Sequence, residues 1–246
     1  MKINKIVSNI STIIEGEPIV SITLGSGLNT FEKILTKKRS LRYDKIDGFL
    51  QTSVKGHDGK FIYGYLNDTP VLCASGRFHY YEGYSFDEVG IIQKIFKEFN
   101  PKINIITNSC GCLRKDWDIG DFMLVDEFID YSFINSSTPK KYKVINKNIL
   151  PNIHQGTYAF TIGPTYETSA EINDIISLGG NAVGMSTFPD YLMAKELNLE
   201  TIIISCLTNY GAGIINKKVN HSDVLKSAIN YGERFNKLIK NIIENI

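Results

Sequence analysis

The stretch from Gly163 to Thr187, GPTYETSAEINDIISLGGNAVGMST, constrains the fold more than any other part of the chain. Gly163 and Pro164 interrupt an apolar run. Ala170, Ile172, Ile175, Ile176 and Leu178 then recur at helical spacing, predicting a helix from Ser169 to Leu178. Gly179-Gly180 ends it, because glycine takes the left-handed turn a helix terminus needs. Asn181 to Val183 reads as a short buried strand running into Gly184-Met185-Ser186-Thr187. One carboxylate, Glu167, is therefore expected at a helix start and one hydroxyl, Ser186, at a strand end. In an open α/β sheet, loops at strand carboxyl ends line the ligand crevice.

The rest of the chain fits around that segment. Residues 1–18 read as a short polar helix, and Ile19 to Leu24 as a strand followed by Gly25-Ser26-Gly27 and a helix from Leu28 to Leu35. A strand, glycine turn and helix can cradle an anion on backbone N–H groups, and the same sequence serves equally as a plain tight turn. Lys37 to Asp47 is charged and expected at the surface. Phe61 to Leu66 and Val71 to Ser75 read as strands joined at Asn67-Asp68. His57, in a glycine-flanked turn, reads by itself as a solvated loop histidine.

The segment GRFHYYEGY (76–84) gathers an arginine, a histidine, two tyrosines and a glutamate directly after a buried strand. Arg77 offers a fork for an oxyanion, His79 a second hydrogen bond, and Tyr81 a flat face suited to a sugar. An aromatic loop packed on the core, with a surface ion pair, explains the same residues. Ser85 to Phe99 reads as a helix, Ile103 to Thr107 and Phe122 to Val125 as strands, and Asn220 to Ile246 as an amphipathic closing helix. Together these elements predict a single α/β domain over residues 1–246, with some strand pairs antiparallel.

Charge and composition narrow the partners. A formal charge of +1 gives no case for nucleic acid or another polyanion. No run reaches the ~20 apolar residues of a membrane span, and no basic-then-apolar leader opens the chain, so a cytoplasmic location is expected. Cys73, Cys110, Cys112 and Cys206 lie in or beside apolar runs and are expected reduced and buried. Cys110 and Cys112 have no second Cys/His pair at zinc spacing, so no metal site is expected.

Several motifs occur in a telling order: GSG (25–27), GRFHYYEGY (76–84), TNSCGCL (107–113), GTYAFTIGPTYETSAE (156–171), GMST (184–187), CLTNYGAGI (206–214) and NH (220–221). The set resembles the trimeric-class purine nucleoside phosphorylases of the nucleoside phosphorylase I superfamily. The resemblance implies a phosphorylase/hydrolase-like fold whose central mixed sheet, flanked by helices, is partly barrel-like. It also implies a homotrimer that cleaves 6-oxopurine nucleosides such as inosine and guanosine with inorganic phosphate as co-substrate and no cofactor. Carried residue by residue, phosphate falls to Ser26, Arg77, His79, Ser109, Ser186 and His57. The purine falls to Tyr166, Glu167 and Asn209, and the pentose to Tyr81, Met185 and His221. Catalysis would rest on Asn209, Glu167 and His79, with asparagine at 209 favouring 6-oxopurines over adenosine.

Two positions depart from the family. Between Asp130 and Gly156 the connection is short and Ser/Asn/Lys-rich, where relatives carry a longer insertion that lends an aromatic residue to the neighbouring subunit; Tyr131 and Phe133 are the candidates for that role here. Cys112 replaces a second glycine. A methylthioadenosine or methylthioinosine phosphorylase is the nearest alternative, disfavoured by His221, and a catalytically silent nucleoside-binding protein on the same fold is the other.

Overall fold

A computed structural model describes residues 3–53, 58–134, 136–145, 153–215 and 231–245. The order is α1 (Ile3–Ser11), β1 (Val20–Leu24), β2 (Thr36–Arg42), β3 (Lys60–Leu66), β4 (Thr69–Ser75), α2 (Phe86–Val89), α3 (Ile91–Glu98) and β5 (Ile103–Cys112). Then follow β6 (Phe122–Asp130), β7 (Lys140–Lys143), β8 (His154–Phe160), α4 (Ser169–Ser177), β9 (Ala182–Gly184), α5 (Phe188–Glu196), β10 (Thr201–Tyr210) and α6 (Gly232–Glu244). All ten strands belong to one mixed sheet in the order β10-β6-β8-β9-β5-β1-β4-β3-β2, with β7 attached to β6. Because β10 also pairs with β5, five strands close into a barrel, and β1, β4, β3 and β2 extend from it as an open wing. The mixed, partly barrel-like sheet with flanking helices is as expected from the sequence.

Strand β5 joins the two halves and opens the site. It is buried on both faces at its start, as a doubly covered strand is, and pairs with β10 along nearly its whole length. Its other edge is shared. β1 accompanies it as far as Ile106, and β9 joins only at Gly111. Residues 107–110 are left between two diverging strands, and that gap is where a cleft can enter the sheet. The loop after β1 turns tightly against the gap. The Thr107 hydroxyl donates to Thr23 O (2.9 Å) and accepts from Gly25 N–H (3.1 Å), tying the end of β1 to β5.

Helices cover the wing on both sides. Phe235, Ile239 and Ile242 recur at helical spacing on α6 and pack with Val20, Ile22 and Phe31. On the opposite face, Ile6 and Ile10 of α1 and Ile92, Ile95 and Phe96 of α3 bury against Phe61, Tyr63 and Leu72. Helix α4 starts at a capping box in which Thr168 and Glu171 exchange hydrogen bonds, and Gly179, at φ 92°, follows its end.

Several local expectations are corrected. The helix expected at Leu28–Leu35 is a 3₁₀ segment, Asn29–Ile34. The charged surface stretch contains the edge strand β2, whose Lys37, Lys38 and Arg39 are exposed on a solvent-facing strand; lysines there discourage pairing with another chain. The helix expected from Ser85 to Phe99 is two, α2 and α3, divided at Gly90, where a Cβ would stand 2.8 Å from Met193 Cβ on α5. Strand β5 runs on past Thr107 to Cys112, and β6 runs on past Val125 to Asp130 through a bulge near Asp126. The short connection after β6 contains β7. Of the closing helix expected over 220–246, residues 220–230 and 246 lie outside the described residues, and α6 covers Gly232–Glu244. All four cysteines are buried and free.

Gly25 packs directly against backbone, since a Cβ there would lie 2.7 Å from Asn108 Cα and 2.9 Å from Thr107 O. Gly25→Ala is predicted to destabilise the chain by ~1–3 kcal/mol, the usual cost of overpacking. A thermal melt should show a fall of about 2–4 °C per kcal/mol. An unchanged melting temperature would contradict this close approach.

Candidate functional site

The gap beside β5 opens into a cavity of about 570 Å³, within the range that holds a small organic ligand. Ser26, Arg77, His79, Tyr81, Ser109 and Ser186 line it, together with Tyr166, Glu167, Met185 and Asn209. The structure thus brings together residues spread from position 26 to 209. His57 and His221 lie outside the described residues.

One end of the cavity is built around Arg77, which is only 1% exposed. Its Nη1 donates to Thr187 Oγ1 (2.7 Å) and Ser186 Oγ (3.2 Å), and its Nη2 to Thr107 O. Asp190 Oδ2 stands 3.6 Å from Nη1. Burial pushes the Asp190 carboxyl above its ordinary range, against the opposing pull of Arg77 and of the hydrogen bond from Gln93. Ser109 Oγ donates to Ser26 O at 2.7 Å, holding the β1 loop against β5.

The turn presenting Ser186 and Thr187 is strained. Thr187 adopts φ 76°, ψ −43°, and Phe188 N–H donates to Ser186 O at 2.8 Å. This is a γ-turn with positive φ at a β-branched residue, a conformation that costs of order 1–3 kcal/mol and persists only where its surroundings hold it. Here the hydrogen bond from Arg77 to the Thr187 hydroxyl is one such hold.

His79 is fixed by Glu82. Its Nδ1 lies 3.0 Å from Glu82 Oε1, its backbone N–H donates to the same oxygen at 2.9 Å, and its ring stacks on Tyr81 with centroids 4.8 Å apart. Burial raises the Glu82 carboxyl, but hydrogen bonds from His79 and from the Ser53 N–H and hydroxyl outweigh it, leaving it at about 2. Burial pulls His79 below its ordinary value, Glu82 pushes it back and Arg77 adds to the fall. The ring is therefore neutral at neutral pH. An ionised Glu82 requires the proton on Nδ1, which leaves Nε2 as an acceptor. The sequence suggested a donor at His79; the neutral ring reverses that role.

Glu167 and Asn209 sit in the other part of the cavity. Glu167 immediately precedes the helix cap at Thr168, in the loop at the start of α4, as expected from the sequence. Its Oε1 accepts from the Thr161 hydroxyl at 2.6 Å, and burial raises its carboxyl above the usual value despite that bond. Asn209 is aimed by a bulge: β10 pairs Leu207 with Cys110 and Asn209 with Gly111, leaving Thr208 as the extra residue. The Thr208 hydroxyl donates to Asn209 Oδ1 (3.1 Å), and Asn209 Nδ2 donates to Tyr210 O (3.1 Å), so the amide orientation is set. Nδ2 keeps a second hydrogen for a ligand. Tyr166, 43% exposed, lies at the cavity's open side.

Sequence reasoning missed the residues that hold these groups: Thr187, Asp190, Thr161 and Thr208, with Glu82 noticed but given no role. An acid just after Pro189 at a helix start reads as a partner of the helix dipole. Nothing local marks Thr161 or Thr208. Among the described residues no cluster of His, Cys, Asp and Glu could hold a metal, and no helix is long and apolar enough to cross a membrane.

Known proteins share this architecture. The family model of the phosphorylase superfamily matches residues 20–244. Purine nucleoside phosphorylase 1 of Geobacillus stearothermophilus is 31% identical, covering 93% of this chain and 92% of its own. The solved Schistosoma mansoni purine nucleoside phosphorylase superposes with TM-score 0.85 over 99% of this chain and 96% of its own, at 28% identity in its complex with inosine. Its complex with adenosine fits with the same TM-score, at 27% identity.

Glu82→Gln is predicted to move His79 further below its ordinary pKa, because Glu82 supplies the influences that raise it. Glu82 itself is depressed, so its contribution to stability is present above the ordinary carboxylate value of 4.5 and is lost as pH falls towards about 2. Imidazole NMR titration of the variant checks the first point. An upward or absent shift would break the pairing.

Proposed function

The chain belongs to the phosphorylase superfamily, and from that premise we propose that it is a purine nucleoside phosphorylase acting on 6-oxopurine nucleosides such as inosine and guanosine. The observation that carries the reading is one cavity lined both by Arg77, Ser26 and Ser186, a set suited to an anion, and by Glu167 and Asn209, a pair suited to a purine edge.

In this reading phosphate lies on Arg77, Ser26, Ser186 and the Ser109 backbone. The neutral His79 accepts the remaining phosphate proton at Nε2. A phosphate oxygen attacks C1′ as the C1′–N9 bond breaks, and the bonding pair leaves with the purine. The transition state resembles an oxocarbenium ion, positive at the sugar and negative at the base. Asn209 Nδ2 meets the negative charge as it spreads to N7 and O6, and Glu167 accepts from the purine N1–H. Such preorganised partners act more strongly on the transition state than on the substrate. Tyr166 packs on the base, with Tyr81 and Met185 against the pentose. No cofactor enters these steps.

The preference for a 6-oxo group rests on Asn209 rather than on the relatives, because the Schistosoma enzyme has been crystallised with both inosine and adenosine. Homotrimeric assembly is part of the same reading. Phe133, 49% exposed, and Ile134 just beyond β6 supply apolar surface for a neighbouring subunit.

The direct test is base release from inosine, guanosine and adenosine, each with and without phosphate. The reading expects phosphate-dependent release from inosine and guanosine. Release without phosphate would mean a hydrolase, and no release would move the chain to the nucleoside-binding proteins. Asn209→Asp is predicted to shift the inosine-to-adenosine ratio of kcat/KM at least about tenfold towards adenosine, since a discrimination of ~1.4 kcal/mol corresponds to that factor. Unchanged selectivity would remove Asn209 from base recognition. Glu167→Ala should lose ~2.7–4 kcal/mol of transition-state stabilisation, about 10²–10³ in rate. Near wild-type turnover would place the purine elsewhere.

A further inference from the structure

Asp190 has no place in the chemistry above, yet it is fully buried beside the residue on which the anion site depends. It lies in the first turn of α5, and its Oδ1 accepts from Gln93 Nε2 at 3.4 Å. The orientation of Gln93 is fixed from behind: its Oε1 accepts from Asn104 Nδ2 (2.8 Å), whose own Oδ1 accepts from Ser21 Oγ (2.8 Å). The donor end of Gln93 must therefore face Asp190, and position 190 must present an acceptor. Asp190 Oδ2 receives no hydrogen bond and stands 3.6 Å from Arg77 Nη1. Thr187, Ser186 and Thr107 already direct the guanidinium through hydrogen bonds. Asp190 thus acts on Arg77 through charge more than through geometry.

We propose that Asp190 is the resident counter-ion of Arg77, neutralising the guanidinium while the site is empty and holding down its affinity for phosphate. The inference rests on the reading of Arg77 as a phosphate ligand. A buried cation without a partner is strongly destabilising, so an anion site built on buried arginine needs an internal anion between turnovers. Phosphate arriving on the same guanidinium then meets a carboxylate already there, and the two like charges oppose each other. Bound phosphate and pentose 1-phosphate remain exchangeable as a result. Removing the carboxylate takes away a charge that opposes the incoming anion, so phosphate must bind more tightly.

The test is Asp190→Asn, which keeps shape and an acceptor for Gln93 but removes the charge. Inorganic phosphate is titrated into wild type and variant by calorimetry and by thermal melting, with initial rates on inosine. The inference expects the variant to melt lower without phosphate and to gain more from it. It expects a phosphate dissociation constant at least fivefold lower, a parallel fall in the KM for phosphate, and wild-type affinity in Asp190→Glu. A residue with a merely structural role would lower the melting temperature equally with and without phosphate. An unchanged or weaker affinity overturns the inference. So does a variant that folds in neither buffer, because phosphate would then fail to replace the carboxylate. Wild-type protein that binds no phosphate overturns the reading of the site itself, and the inference with it.

Discussion

A guanidinium with 1% of its residue surface exposed is the constraint around which the structure is arranged. Arg77 needs acceptors for its terminal N–H groups and an anion for its charge, since a buried unpaired cation is among the most expensive features a core can contain. The acceptors come from distant parts of the chain: Thr107 O from β5, and the Ser186 and Thr187 hydroxyls from the turn after β9. The anion comes from Asp190 on α5. One side chain from the end of the wing therefore ties together the barrel strand β5, the β9–α5 connection and the helix that follows.

That arrangement accounts for the strained backbone at Thr187. A relaxed turn would leave the sheet by another path, whereas the γ-turn delivers two adjacent hydroxyls to the same Nη1. It also accounts for the shape of the sheet. Because β1 stops accompanying β5 before β9 begins, the middle of β5 faces the cavity instead of another strand. The parts of the cavity proposed for phosphate and for purine are consequently built on one ladder, with Ser109 on β5 and Asn209 on β10 placed by register. Sites held on strands keep their spacing better than sites on loops alone.

Much of this was legible in the sequence, for physical reasons. Short apolar runs between turn residues marked β1, β3, β4 and the start of β5, and the 3.6-residue spacing ended by Gly179-Gly180 marked α4. The residues that line the cavity were legible as well, through the ordered set of motifs, since each one alone had an ordinary packing or surface explanation. What was hidden has tertiary causes. The break at Gly90 comes from the close approach of α5, and β2 forms from an exposed Lys/Arg-rich stretch because β3 offers it an edge. Thr187, Thr161, Thr208 and Asp190 are ordinary in their local contexts. Their importance lies only in which side chain the fold sets beside them.

In the proposed function phosphate and purine occupy two parts of one cavity with C1′ between them. The measurement that tests it most directly is a crystal structure with phosphate and hypoxanthine bound together. The account predicts phosphate on Arg77, Ser26 and Ser186, and the base between Glu167 and Asn209, its N7 and O6 facing the Asn209 amide. Hypoxanthine bound away from Asn209, or phosphate bound away from Arg77, would contradict it.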